Sequence, residues 1–179
     1  MPGFISGTIV YTDAQAIAAA KTDSELLNHW TLLETLSPSA VASIDSSTLT
    51  AQDLYMVLLR LSGAYATESR LGMQLNGDTG NNYSATFADQ TTLTQVLDNA
   101  ILNLCSFDDT YPQMVGRILL PGKLGAVYVP ISGHVSPSHY TYNRFLSGDY
   151  NASANITQFT FLAGVGTITG KIKIYGMNF

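Results

Sequence analysis

The chain has 179 residues, enough for one ordinary domain whose core needs neither disulfides nor a structural metal. Only 13 acidic and 8 basic residues are present, for a net charge of −5, whereas Ser, Thr and Asn number 16, 19 and 10. A polar but thinly charged surface of this kind suits stable assembly with other protein. Residues 1–100 hold ten acids and three bases, and residues 101–179 three acids and five bases. Neither part contains a Lys/Arg cluster able to track phosphates, so nucleic acid is not an expected partner. A single cysteine, Cys105, forbids an internal disulfide. The segment Met1–Tyr11 lacks the basic-then-apolar order of a signal peptide, and no apolar run approaches the roughly 20 residues of a membrane helix. The expectation is a protein that contacts no membrane and is not secreted by the usual route.

In chain order, residues 12–62 read as helical. Asp13 to Lys21 is Ala-rich, and Thr22-Asp23-Ser24-Glu25 has the form of a capping box. Leu26, Trp30 and Leu33 then share one stripe, and Ser37-Pro38 ends it, which predicts a helix over 23–36. Thr50 and Asp53 open a second pattern, Leu54, Val57, Leu58 and Leu61, closed by Gly63, which predicts a helix over 51–62. From residue 69 the period shifts towards two. Leu71, Met73 and Leu75 alternate with smaller or polar residues, and Asn76 to Asn82 reads as a hairpin turn leading to Tyr83–Phe87. Helical spacing returns in Leu93, Val96, Leu97, Ala100, Ile101 and Leu104, which predicts a helix over 92–105 packed on a sheet. Further strands are expected at 114–120, 125–135, 139–146, 156–162 and 170–175, the last with Ile172 and Ile174 alternating against Lys171 and Lys173. The fold class predicted is therefore mainly β with α elaboration. An antiparallel, jelly-roll-like β-sandwich at 67–179 follows an N-terminal strand and helical region at 1–66.

Chemistry is sparse. Gly116 to Leu124 has the wrong spacing for a phosphate loop, and Gly164 to Gly170 misses the dinucleotide spacing and precedes a strand. His134 and His139 flank Pro137 and read as a turn rather than a zinc or catalytic pair. Cys105 ends an apolar stripe and reads as a buried thiol. Asp108-Asp109 reads as a solvated turn, since adjacent side chains on one loop rarely converge. In the turn, Asn76, Gly77, Asp78 and Gly80 read as structural: the polar side chains bond their own backbone, and Gly77 or Gly80 takes a positive φ. A calcium site made of Asn76, Asp78, Asn81 and Asn82 is the competing reading, weakened by having a single carboxylate. No catalytic residue, cofactor or metal is expected. Tyr128, Tyr140, Tyr142, Phe145 and Tyr150 crowd a nearly charge-free stretch and are the candidates for an oligomer interface or, equally, a glycan-stacking platform.

Two stretches, Leu75-Asn76-Gly77-Asp78-Thr79-Gly80-Asn81-Asn82-Tyr83 and Gly166 to Gly176, resemble the β-sandwich virion proteins of tailed bacteriophages. There a strand runs into Asn-Gly-Asp-x-Gly-x-Asn-Tyr, and the chain closes on a strand ending in Tyr-Gly. The resemblance covers roughly residues 71–87 and 113–179. It implies a non-enzymatic protein that decorates or cements the capsid, commonly as a trimer, assembled in the host cytoplasm on the major capsid protein or other virion proteins. The alternative it implies is a tail-associated or receptor-binding component that contacts a cell-surface glycan. A hydrolase using His134 or His139 with Asp108 or Asp149 is the third, least favoured reading.

Overall fold

The computed structural model describes residues 29–64, 69–88, 93–107, 110, 112–123, 128–137, 144–151 and 154–179. The compact unit runs from Leu32 to Phe179; a second unit, Met1–Thr31, lies almost wholly outside the described residues. Every described element is a strand. In order they are β1 (Thr31–Leu36), β2 (Ser43–Asp45), β3 (Leu54–Ala64), β4 (Ser69–Leu75), β5 (Tyr83–Ala88) and β6 (Leu93–Asn99). Then follow β7 (Leu102–Phe107), β8 (Gln113–Pro121), β9 (Tyr128–Pro137), β10 (Arg144–Asn151), β11 (Phe159–Ala163) and β12 (Thr167–Met177). They form an eight-stranded sheet, ordered β1-β12-β3-β8-β9-β10-β5-β6, and a four-stranded sheet, ordered β2-β11-β4-β7. The pairings whose registers are resolved are all antiparallel.

One apolar core lies between the inner faces of the two sheets, as in a sandwich. The large sheet contributes Tyr55, Val57, Ile118, Val129, Ile172 and Ile174, and the small one Leu71, Met73, Phe159 and Phe161, all fully buried. Tyr55 and Phe159 meet edge to face at 5.1 Å across the two sheets. The Tyr55 hydroxyl donates to the Ile156 carbonyl at 2.8 Å, so the ring is buried without stranding its polar end.

The strands expected at 114–120, 125–135, 156–162 and 170–175 are present, with ends shifted by a few residues; of the one expected at 139–146, residues 144–146 begin β10 and 139–143 fall outside the described residues. Three expected helices are not. Leu54–Ala64 is the central strand β3, paired along its length with β12 and β8. Its odd-numbered side chains Tyr55, Val57, Leu59 and Leu61 are buried, and the even-numbered ones are half-covered or exposed. The apolar run from Leu54 to Leu59 is continuous, so a helical subset could be picked from it; a strand covered on one face and partly covered on the other produces that run. Gly63, expected as a helix stop, sits inside β3 and donates its N–H to the Pro112 carbonyl at 2.7 Å. The helix expected at 92–105 is two strands, β6 and β7, in different sheets with Ala100 and Ile101 between them. Of the helix expected at 23–36, residues 31–36 are strand β1, which stops where Ser37-Pro38 was expected to stop it. The part before His29, and the Ala-rich segment Asp13 to Lys21, fall outside the described residues. The division expected at residue 66 does not separate a helical appendage from a sandwich, because β1, β2 and β3 are integral strands of the two sheets. Replacing Phe161, which stacks on Phe159 in the middle strand of the small sheet, by Ala should cost about 3–5 kcal/mol of unfolding free energy in a urea titration.

Candidate functional site

Residues 75–83 form the best-defined polar constellation. Asn76 (φ 55) and Gly77 (φ 66) are both left-handed, and the Asp78 N–H donates to the Leu75 carbonyl at 3.0 Å, a type I′ turn. The expected hairpin does not follow from it. β4 belongs to the small sheet and β5 to the large one, so the turn is a corner between sheets. The Tyr83 hydroxyl takes over the role of a hairpin partner: Leu75 N–H donates to it at 2.8 Å, and it lies 3.2 Å and 3.3 Å from the carbonyls of Asp78 and Leu75.

Asp78 organises the rest. Its Oδ1 accepts from the Gly80 N–H at 2.7 Å, and its Oδ2 from Asn82 Nδ2 at 2.8 Å and the Tyr150 hydroxyl at 3.0 Å. Tyr150 stacks on Tyr83 with ring centroids 4.8 Å apart, both rings being buried. Asn76 ties the corner to the entry of β11: its Oδ1 accepts from the N–H groups of Thr157 and Gln158, and its Nδ2 donates to the Asn155 carbonyl. Of the oxygens in the competing calcium reading, Asn76 Oδ1 and both Asp78 carboxylate oxygens are thus engaged by donors, and among the described residues no three His, Cys, Asp or Glu gather as metal ligands. Partial desolvation works against the Asp78 charge, but the hydrogen bonds from Gly80, Asn82 and Tyr150 together outweigh it and hold the carboxyl below its usual value. Burial first, then the nearby carboxylate, pushes the Tyr83 phenol up to about 12; burial, Tyr83 and Asp78 raise Tyr150 as well.

Tyr150 is therefore not an interface residue: it is 2% exposed and occupied inside its own chain. Tyr128 opens β9 opposite Asn151, and Phe145 lies in β10 opposite His134 and Ala88. Tyr140, Tyr142, His139, Asp108 and Asp109 fall outside the described residues. Exposed His134 and Asp149 are not brought together, since Asp149 lies opposite Pro130, four residues along β9 or about 14 Å away. Cys105 is fully buried in β7 opposite Leu71. On the outside of the small sheet, Arg70, Gly72, Ile101, Asn103 and Leu162 help line a cavity of about 240 Å³ whose only titratable group among the described residues is Arg70.

The other feature is the outer face of the large sheet, which the sequence reading overlooked. Tyr175, Met56 and Leu119 form one cross-strand row with Ser132 and Ser147, and Met177, Leu54 and Pro121 the next. The apolar members of both rows are half-buried, and Val115 and Leu32 are 52% and 48% exposed. A solvent-facing sheet side normally carries polar residues at such positions. The signal was present in the even-numbered residues of 54–58, but only a strand assignment reveals it.

The sequence matches no protein-family model and no curated protein. Among solved structures, the chain is similar to a fructofuranosidase from Schwanniomyces occidentalis complexed with fructose (TM-score 0.34, 6% identity, covering 85% of this chain and 35% of that one). It is also similar to a bifunctional GH43-CE protein of Bacteroides eggerthii (TM-score 0.30, 10% identity, 82% and 22% covered). Peanut lectin gives a TM-score of 0.24 at 5% identity, with 84% and 90% covered. The chain thus spans about a third or less of the length of the two enzymes.

Three outcomes follow for the corner. Gly77→Ala meets no side chain closer than 3.8 Å, so its cost of about 1 kcal/mol in chemical denaturation is purely that of the left-handed backbone. The depressed Asp78 carboxyl contributes stability that is present above about pH 4 and is lost as the pH falls through its folded value. Melting temperatures of the wild type and Asp78→Asn should therefore differ at pH 7 and converge in acid. The raised phenols act in the opposite direction: stability is complete below the ordinary phenol value of 10.0 and falls as the pH rises towards about 12. Tyr150→Phe should cost about 1 kcal/mol at neutral pH and flatten that alkaline loss.

Proposed function

We propose that this chain is a non-enzymatic structural protein of a tailed-phage virion, binding and stabilising the outer capsid lattice as a decoration or cement protein and assembling as a homotrimer. The observation that carries the reading is the apolar surface on the outside of the large sheet, where Met56, Leu119 and Tyr175 are half-buried and Val115 is 52% exposed. A face of that kind is stable in water when a neighbour covers it, which is the requirement of a shell component. The two stretches that resemble phage sandwich proteins add to it: one is the sheet-crossing corner at 75–83, and the other is β12, between β1 and β3 in the same large sheet. A jelly-roll-like connectivity and location in the virion after assembly in the host cytoplasm belong to the same proposal. Partners are the major capsid protein or other virion proteins, with no role for nucleic acid, membrane, metal or cofactor.

Quantitative mass spectrometry of purified particles tests it. Hundreds of copies per particle are expected on the shell. Absence from particles overturns the proposal, and a handful of copies at the tail would transfer the protein to the tail-associated reading.

A further inference from the structure

The cations of the chain are scattered in sequence but not in space. Lys171 in β12 stands directly opposite Arg60 in β3, and two residues along, Lys173 stands opposite Leu58, which is opposite Arg117 in β8. All four charged side chains are exposed on the outer face of the large sheet. Rows on one face are about 7 Å apart and strands about 4.8 Å apart, so the four charges fall within roughly 12 Å of one another. Among the described residues none of them has an ion pair; the only such bridge joins Lys123 to Asp53. Like charges directly opposite each other on a sheet are unfavourable, and nothing in the fold demands cations at these exposed positions. A local conflict of this sort, left uncompensated among the described residues, points to a surface that is compensated by something else.

We propose that this face is one half of a head-to-tail contact between copies of this chain, in which Arg60, Arg117, Lys171 and Lys173 receive an acidic surface of the neighbour. The inference rests on the assembly reading above and deepens it by naming the face and the chemistry of its partner. Charge complementarity selects a second copy: removing these four cations from a net charge of −5 leaves −9 on the remainder of the same chain. It also dictates the symmetry. A two-fold axis through the face would set cation against cation, so the contact is heterologous and closes into a ring such as a trimer. The adjoining Met56, Leu119 and Tyr175 row supplies the apolar area, and the face spans roughly 20 by 30 Å, the order of size that one side of a specific interface needs. Nucleic acid is disfavoured as the occupant because four cations beside an apolar row fall well short of the strongly basic surface it requires.

Sedimentation of the purified full chain, with and without Arg60→Glu, is the test. The new carboxylate would face Lys171 and form a favourable cross-strand pair, so the variant should fold with an unchanged or higher melting temperature as a monomer. The assembly should nevertheless weaken at least about tenfold, and the wild-type assembly should weaken similarly as salt rises from about 50 to 500 mM. A Lys171→Glu, Lys173→Glu double variant should do the same, which covers the case of a single variant that misfolds. An oligomer insensitive to both variants and to salt overturns the inference while leaving virion incorporation untouched. A monomeric wild type at 0.1 mM also overturns it, and particle copy number then judges the assembly reading separately. Binding of the wild type to a DNA duplex, abolished by the same variants, would assign the face to a polyanion and overturn the proposal as well.

Discussion

The passage of the chain from one sheet to the other at Asp78 is the constraint on which the sandwich turns. A two-sheet fold must bend its strands out of one ladder and into another, and each bend leaves backbone donors and acceptors that sheet pairing no longer serves. At this corner the side chains serve them. The Tyr83 hydroxyl holds the end of β4, the Asp78 carboxylate holds the loop through Gly80 and Asn82, and Asn76 holds the strand that enters the small sheet. Tyr150 reaches the same carboxylate from β10, so a donor 72 positions along the chain shares Asp78 with Gly80 and Asn82. The stacked Tyr83 and Tyr150 rings close the end of the core beneath them. Because the carboxylate is favoured in its charged form and the phenols in their neutral form, the arrangement is self-consistent over the middle of the pH range and weakens at both extremes.

Strand β3 carries the second theme, division of labour between faces. Its inner side chains meet the small sheet and build the core, while its outer ones, Met56, Leu58 and Arg60, belong to a surface that is apolar at one end and cationic at the other. The flanking strands continue both rows, so the amphipathic character belongs to the sheet rather than to any one segment. Nothing in the core requires it. Polar residues at these positions would leave the inner packing unchanged, which is why an external contact is the economical account of the outer face.

Legibility in the sequence followed period and turn chemistry. β12 could be read directly, since Ile172 and Ile174 alternate with two lysines and only a half-buried strand makes that pattern. The left-handed turn could be read from Asn76-Gly77, because the φ values near +60° are tolerated by those residue types. What the turn joined could not be read. A type I′ turn usually closes a hairpin, and here Tyr83 and Asp78 intercept the groups that a hairpin would pair. β3 was hidden by being apolar at nearly every position, and β6 and β7 by a short sheet-crossing at Ala100 and Ile101 that makes two strands look like one helical stripe. Tyr150 looked like a surface aromatic because its stacking partner and its acceptor both lie in a distant part of the chain.

By itself the sequence determined the preponderance of antiparallel strands in its C-terminal two-thirds, the positions of several strand ends, the left-handed turn at Asn76-Gly77 and the burial of Cys105. These depend on residue periodicity and on the conformational freedom of single residues, both of which are local properties. Only the tertiary structure decided which strands share a sheet, that the N-terminal apolar run is a central strand, and that Arg60, Arg117, Lys171 and Lys173 meet on one face. The physical reason is that strand pairing is settled by hydrogen bonds and packing between residues far apart in the chain. A charge or a ring acquires its role from the neighbour that register places beside it, and register is a property of the whole sheet.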